Sequence, residues 1–208
     1  MSKFIDQKAI ILASGSTIRS KLMSSLGLEF SVIPSDCDED AIKNIYNSSN
    51  VDVVELGYAL AKAKALDVSK RFPDHFVIAA DQLCVIGQTI LDKPMNHQTA
   101  IEHLRLLSGK KHQQIACLCI AKNNNILWQH HEIAELELHQ LNDQTIESYL
   151  LSEKPYYSCG AYHFESQGKW LFKEVKGNEE TILGLPLMPL VHALLDLGAV
   201  LVKNKSPD

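Results

Sequence analysis

Short apolar runs alternate with longer, mixed stretches along the whole chain. The runs at 8–13 and 76–80 have the composition of buried strands. Helical composition follows at 17–26, 52–70, 96–107, 142–151 and from near Leu187 to near Gly198. Strands interspersed with helices in this order predict an α/β protein with a mixed sheet flanked by helices.

The sequence predicts two β-hairpins in the middle of the chain. Strands are predicted at 112–122 and 126–138, joined by Asn123-Asn124-Asn125, because asparagine tolerates the positive φ of a tight turn. Gly87-Gln88 separates two shorter apolar runs and predicts a second hairpin. Antiparallel hairpins of this length argue against a purely doubly wound parallel sheet.

The composition of the chain says more about its partners than about the reaction it could carry out. Its 208 residues suffice for one large domain or two small lobes. The formal net charge of -5, without a basic block, argues against nucleic-acid polymers but leaves room for a single nucleotide. No signal peptide or apolar run of membrane-spanning length is apparent, and the five cysteines form no CxxC pair, so we expect a cytoplasmic protein with reduced thiols.

The first strand-to-helix junction carries the first candidate chemistry. Ser14 and Ser16 flank Gly15 ahead of the helix, and Arg19 falls in its first turn. Hydroxyl groups and backbone N–H groups at a helix start, with an arginine, can hold phosphate. The alternative is an ordinary helix cap, with Ser16 capping and Arg19 solvated.

Carboxylates and lysines follow at three further places. Asp81 comes directly after the apolar run 77–80 and is expected at the end of a buried strand, whereas Asp38 and Glu39 lie in an acidic loop. Carboxylates that converge can hold Mg²⁺ or Mn²⁺ or take a proton from water. Lys93, on a loop after a short strand, could neutralise phosphates. The alternative for Asp38 and Glu39 is a solvated acidic loop, and the alternative for Lys93 is an ordinary surface lysine.

Several short segments of the sequence resemble those of the Maf family of nucleoside triphosphate pyrophosphatases. No single segment is specific, but they occur in the family's order and cover nearly the whole chain. One departure is Thr17-Ile18, where many relatives have Pro-Arg, so that Arg19 carries more of the phosphate binding. The matching segments are LASGSTIR (12–19), 32–39, Lys64-Ala65, ADQ (80–82), DKP (92–94), LSGKKH (107–112), CGAY (159–162) and ILGLPL (182–187).

The resemblance implies a fold and an assignment of roles. It implies one domain over 1–208, like that of inosine triphosphatases, with an elongated mixed sheet, two lobes around a central cleft and a loose tail from about 200. It also implies a homodimer, phosphate binding by Lys64 beside Arg19 and Lys93, and Asp81 as the proton acceptor. With Asp38 and Glu39, Asp81 would also hold the divalent cation.

Glu165 bears on the choice of base. Pyrimidine-acting relatives have a glutamine followed by glycine here, whereas a branch acting on 7-methyl-GTP has a glutamate and a pair like Asp81-Gln82. A carboxylate only accepts hydrogen bonds, which suits the N1–H and N2–H donors of guanine. Gln167 lies two residues on and could instead supply an amide.

The sequence therefore predicts a hydrolase that converts a nucleoside triphosphate, with modified and guanine-like bases among the candidates, to monophosphate and pyrophosphate. Three alternatives stay open. They are a dTTP/UTP pyrophosphatase of the same family, a hydrolase of deaminated purine triphosphates, and a non-enzymatic, nucleotide-binding regulator of cell division. A panel of nucleotides distinguishes between them.

Overall fold

The structure is a computed structural model that describes residues 4–47 and 52–203. The strands of this part are β1 (Ile5–Gln7), β2 (Ile10–Leu12), β3 (Ser31–Val32), β4 (Phe76–Ile86), β5 (Thr89–Leu91), β6 (Lys111–Lys122), β7 (Asn125–Leu138), β8 (Phe172–Lys176) and β9 (Val200–Val202). The helices are α1 (Thr17–Ser25), α2 (Glu39–Asn47), α3 (Val53–Arg71), α4 (His97–Leu107), α5 (Asp143–Glu153), α6 (Glu179–Ile182) and α7 (Leu187–Asp196), with a 3₁₀ helix at Gln167–Leu171.

The main sheet is mixed, as the sequence predicts. Its strand order is β3-β2-β4-β6-β7-β8, with β5 beside β4. Strand β2 pairs in parallel with β3 and β4, whereas β5 and β8 pair antiparallel with β4 and β7. The hairpin of β6 and β7 turns at Asn123 and Asn124, whose φ angles of 49° and 57° are left-handed. The α/β class and both hairpins are confirmed.

The described residues group into two compact units. The first takes the described residues up to Asp81, then 117–130 and those from Leu185 onward; the second takes 82–116 and 131–184. The chain of β4, β6 and β7 passes from one unit into the other. A single domain and a central cleft stay predictions.

The first unit is organised around β2, β4 and α3. Every residue from Phe76 to Ala80 is buried, and so are Leu12 on β2 and Leu60 on α3. Helix α3 begins at the cap residue Asp52, whose side chain accepts a hydrogen bond from the backbone N–H of Val54, and it ends before Pro73. Parallel β2 and β4 thus place the residues after β2 beside the middle of β4.

The second unit has a continuous apolar core of its own. Buried side chains of α4, α5 and β7 form it with an aromatic group that includes Tyr162 and Phe164. Asn96 and Asn142 cap α4 and α5, each accepting a hydrogen bond from the backbone N–H three residues on. These caps satisfy a backbone N–H in the first turn of each helix.

Three features of the chain differ from the sequence expectation. Residues 200–202, which we placed in a loose tail, form β9 and pair antiparallel with β1; the rest of that tail, 204–208, lies outside the described residues. Helix α2 begins at Glu39, inside the segment expected to be an acidic loop. Strand β4 continues through Asp81 to Ile86, so Asp81 lies within a strand and not at its end. Within the described part, no helix is long and apolar enough to span a bilayer.

Candidate active site

The segment between β2 and α1 is folded onto its own side chains. Ser16 caps α1, its Oγ accepting a hydrogen bond from the backbone N–H of Arg19 at 3.3 Å. Ser14 is buried, and its Oγ accepts a hydrogen bond from the backbone N–H of Ser16 at 3.2 Å. The backbone N–H of Ala13 donates to the carbonyl of Ile78 at 2.7 Å. These bonds fix the N-terminus of α1 against β4.

Arg19 reaches from this helix to the backbone of β4. Its Nη1 donates to the carbonyl oxygen of Ala80 at 2.9 Å and lies 3.4 Å from Ser14 Oγ. Ser16 therefore caps the helix, as the alternative expected, whereas Arg19 is hydrogen-bonded to β4 and not simply solvated. Phosphate binding by Ser14, Ser16 and Arg19 stays a prediction. The guanidinium lies against the residue that precedes Asp81, at a helix N-terminus that favours anions.

Asp81 takes part in an ion-pair network of three residues. Lys64 Nζ on α3 lies 2.6 Å from Asp81 Oδ1 and 2.9 Å from Glu39 Oε2, on α2. The side chains of Asp81 and Lys64 are only 9% and 12% exposed, whereas that of Glu39 is 45% exposed. Within the described residues, the second oxygen of Asp81 has no hydrogen-bond partner. One carboxylate oxygen of the buried aspartate thus stays open to an incoming group.

The ion pair also tests whether this site suits a divalent cation. Lys64 Nζ is a cationic centre that two carboxylates already share, so Asp81 and Glu39 are close enough to share one ion. Mg²⁺ is usually held by one or two carboxylates and completes its shell with water and substrate phosphates. Among the described residues, no group of three or more His, Cys, Asp or Glu side chains is placed to hold a metal. The donor set fits a substrate-assisted Mg²⁺ or Mn²⁺ site and not a fully protein-ligated one.

Asp38 has a local partner instead. Its Oδ1 accepts a hydrogen bond from the backbone N–H of Ala41 at 2.9 Å, at the start of α2, and the residue is exposed. The sequence did not predict α2, and so it could not separate the roles of Asp38 and Glu39. The assignment of Asp38 as a metal ligand stays a prediction.

Lys93 and Glu165 both belong to the second unit. Lys93 is exposed on the loop between β5 and α4 and, among the described residues, makes no hydrogen bond or ion pair. Glu165 is exposed in the segment before the 3₁₀ helix, whereas Gln167 Oε1 accepts a hydrogen bond from Ser152 Oγ at 3.3 Å. A Cβ at Gly168 would lie 2.2 Å from the carbonyl oxygen of His163, so this segment requires glycine there. The roles of Lys93 and Glu165 stay predictions.

Gln82 is a structural residue that sequence reasoning did not assign. Its side-chain amide donates to the backbone carbonyl oxygens of Thr181 and Ile182. The backbone carbonyl oxygen of Gln82 accepts a weak hydrogen bond from Cys159 Sγ at 3.7 Å. Gln82 therefore ties α6 and the Cys159 segment to β4, next to Asp81. Thr181 and Ile182 lie 99 and 100 residues away in sequence and Cys159 lies 77 away, so no local pattern could have indicated these partners.

A thiol near Asp81 can be excluded as a nucleophile. Burial, with a smaller contribution from the negative charge of Asp81, raises the pKa of Cys117 to about 12. The thiolate is the reactive form of cysteine, and it is negligible at neutral pH for such a group. The chemistry of the site thus rests on its carboxylates and cations.

Comparison with known proteins shows the family of the chain. The family of Maf-like proteins matches residues 9–197, which is most of the chain. The chain belongs to the Maf family. The match includes every candidate residue from Ser14 to Glu165.

Curated relatives of this Maf chain carry the names of enzymes. A Legionella pneumophila protein (strain Philadelphia 1) named nucleoside triphosphate pyrophosphatase is 66% identical over 96% of this chain and 99% of its own length. A Rhizobium meliloti protein (strain 1021) named 7-methyl-GTP pyrophosphatase is 37% identical over 92% of this chain and 97% of its own. The structure of the Staphylococcus aureus Ham1 protein aligns with 92% of this chain and 100% of its own, at 14% identity and a TM-score of 0.49.

Proposed function

We propose that this Maf protein is a nucleoside triphosphate pyrophosphatase, a hydrolase of phosphoanhydride bonds. The observation that carries the proposal is the contact of Lys64 with both Asp81 and Glu39. Asp81 directly follows Ala80 on β4, and the carbonyl oxygen of Ala80 accepts a hydrogen bond from Arg19. A buried carboxylate paired with a lysine, with an arginine bonded to the preceding backbone carbonyl, offers groups that can accept a proton from water and bind phosphate. The curated relatives support this reaction, because their names describe it.

The residues of the first unit divide the reaction between them. Asp81 accepts the proton of the attacking water, which breaks the anhydride bond between the α- and β-phosphates and releases monophosphate and pyrophosphate. Arg19 and the N-terminus of α1 bind phosphate oxygens. Lys64 neutralises further phosphate charge and positions the carboxylate of Asp81, which its Nζ contacts at 2.6 Å. A bound Mg²⁺ or Mn²⁺, held by Asp81 and Glu39 with Asp38 as a further candidate, would supply charge neutralisation at the phosphates.

Product analysis in labelled water tests this reaction directly. We expect purified protein with Mg²⁺ to convert a nucleoside triphosphate to equal amounts of monophosphate and pyrophosphate, without free phosphate. In H₂¹⁸O the label should enter the monophosphate, because water attacks the α-phosphorus. Binding without turnover would instead favour a non-enzymatic regulator, and release of orthophosphate would contradict the proposed bond cleavage.

We also propose that the base is guanine-like, because Glu165 is exposed and has no hydrogen-bond partner among the described residues. An ionised carboxylate matches the N1–H and N2–H donors of guanine and opposes the O2 and O4 acceptors of uracil. We therefore expect kcat/KM to be higher for 7-methyl-GTP or GTP than for UTP or dTTP. The Glu165→Gln variant should narrow this difference, because the amide restores a donor.

The neighbouring amide provides the matched variant for this experiment. Gln167→Glu should change the preference little if Glu165 reads the base, and should shift it towards guanine nucleotides if Gln167 does. ITP in the same panel tests the deaminated-purine alternative. A strong wild-type preference for UTP or dTTP would contradict the assignment of Glu165 and leave the pyrophosphatase proposal intact. A cytoplasmic location is proposed on the composition and cysteine pattern of the sequence, and a homodimer on the family resemblance alone.

A further inference from the structure

Tyr156, in the second unit, holds the loop between β5 and α4 at two points. Its carbonyl oxygen accepts a hydrogen bond from the backbone N–H of Met95 at 2.9 Å. Its hydroxyl lies 2.9 Å from Nδ1 of His97, the first residue of α4. One residue thus contacts both the backbone of the loop and the side chain that follows it.

The second ring nitrogen of His97 contacts a carboxylate. Nε2 of His97 lies 3.1 and 3.0 Å from the two carboxylate oxygens of Glu147, on α5. A carboxylate only accepts, so Nε2 donates to Glu147, and the other ring nitrogen, Nδ1, is hydrogen-bonded to the hydroxyl of Tyr156. Glu147, His97 and Tyr156 therefore form a chain of hydrogen bonds from α5 to the turn that follows it.

The loop held in this way carries Lys93. Pro94 is buried, Met95 has a φ of 61°, and Asn96 caps α4 through the backbone N–H of Thr99 at 2.9 Å. Between these fixed points and β5, Lys93 is exposed and has no ion-pair or hydrogen-bond partner among the described residues. The backbone of the loop is thus anchored, while the ammonium group of Lys93 is not paired with any residue in the described part of the chain.

We propose that Tyr156, through its contacts with Met95 and His97, is a positioning residue that presents Lys93 to the phosphates of the substrate. This inference rests on the proposed function and on the sequence-based prediction that Lys93 is a phosphate-binding cation. A long, flexible lysine loses less entropy on binding when its backbone is already fixed. The hydroxyl of Tyr156 would therefore act on substrate binding and not on the bond-breaking step.

A double-mutant cycle tests whether the two residues act together. Tyr156→Phe removes only the hydroxyl and keeps the ring and the carbonyl that binds Met95. We expect it to raise KM by about 3- to 10-fold for 7-methyl-GTP and UTP, with kcat changed by less than about 2-fold, as the loss of one hydrogen bond suggests. Lys93→Met should raise KM by about 10-fold or more. In the Lys93→Met background, Tyr156→Phe should have almost no further effect on KM.

Tyr157 supplies the matched control for this cycle. It follows directly in sequence, is 71% exposed and makes no hydrogen bond among the described residues, so Tyr157→Phe should leave KM and kcat unchanged. The melting temperature of each variant shows whether it is folded. Additive effects of Tyr156→Phe and Lys93→Met would overturn the positioning role and leave Lys93 in the site. An unchanged KM in Lys93→Met alone would overturn the role of Lys93 and, with it, this inference, without touching the reaction assigned to Asp81.

Discussion

Replacing Asp81 with asparagine is expected to lower kcat by about 10²-fold or more, the scale of general-base catalysis. The amide has nearly the size of the carboxylate and can still accept a hydrogen bond from Lys64 Nζ, which lies 2.6 Å from Oδ1. It cannot take a proton from water at neutral pH. The fold should therefore survive while the chemical step is lost, which steady-state kinetics and circular dichroism can measure on the same sample.

Asp143→Asn is a suitable control for this variant. Asp143 is an exposed aspartate of α5 that pairs with Arg105, and nothing places it near the proposed chemistry. Its replacement should leave kcat within about 2-fold, as surface substitutions do. Normal turnover by a correctly folded Asp81→Asn protein would remove Asp81 from the mechanism and return attention to Glu39.

Local sequence patterns predicted those parts of the fold that depend on local physics. Asn123 and Asn124 adopt the left-handed conformations that the turn requires, and the helices predicted at 96–107 and 142–151 are α4 (His97–Leu107) and α5 (Asp143–Glu153). Strand β4 was predicted too short because Asp81 and Gln82 interrupt its apolar run. Those two side chains are tolerated within the strand because each has partners from elsewhere in the chain: Lys64 for Asp81, and Thr181 and Ile182 for Gln82.

The candidate site was predictable in its membership more than in its geometry. The sequence indicated that Ser16 could cap α1 or bind phosphate, and the structure shows that it caps the helix. The contact of Arg19 with the carbonyl of Ala80 spans 61 residues and depends on the parallel pairing of β2 with β4. The same limit applies to His97 and Tyr156, 59 residues apart. Such contacts follow from the topology of the sheet and the packing of helices, which local periodicity does not specify.

Lys64 makes the two carboxylates of the site competitors for one positive charge. Its ammonium group lies 2.6 Å from Asp81 Oδ1 and 2.9 Å from Glu39 Oε2. If Asp81 and Glu39 hold a divalent ion, as we propose, that ion would compete with Lys64 for the two carboxylates, and a triphosphate would give the ammonium group another anion to contact. Metal binding and phosphate binding by Lys64 should therefore favour each other.

Removal of divalent cations is expected to abolish hydrolysis, and Mg²⁺ or Mn²⁺ should restore it. A second measurement tests where the ion binds. Lys64→Met leaves Asp81 and Glu39 without their shared cation, so millimolar Mg²⁺ should raise the melting temperature of this variant more than that of the wild type. In Lys64→Met combined with Asp81→Asn this extra increase should disappear, because one of the two carboxylates is lost. Full activity in excess EDTA would contradict a metal-assisted reaction. Equal Mg²⁺-induced shifts in all three proteins would place the ion away from Asp81 and Glu39.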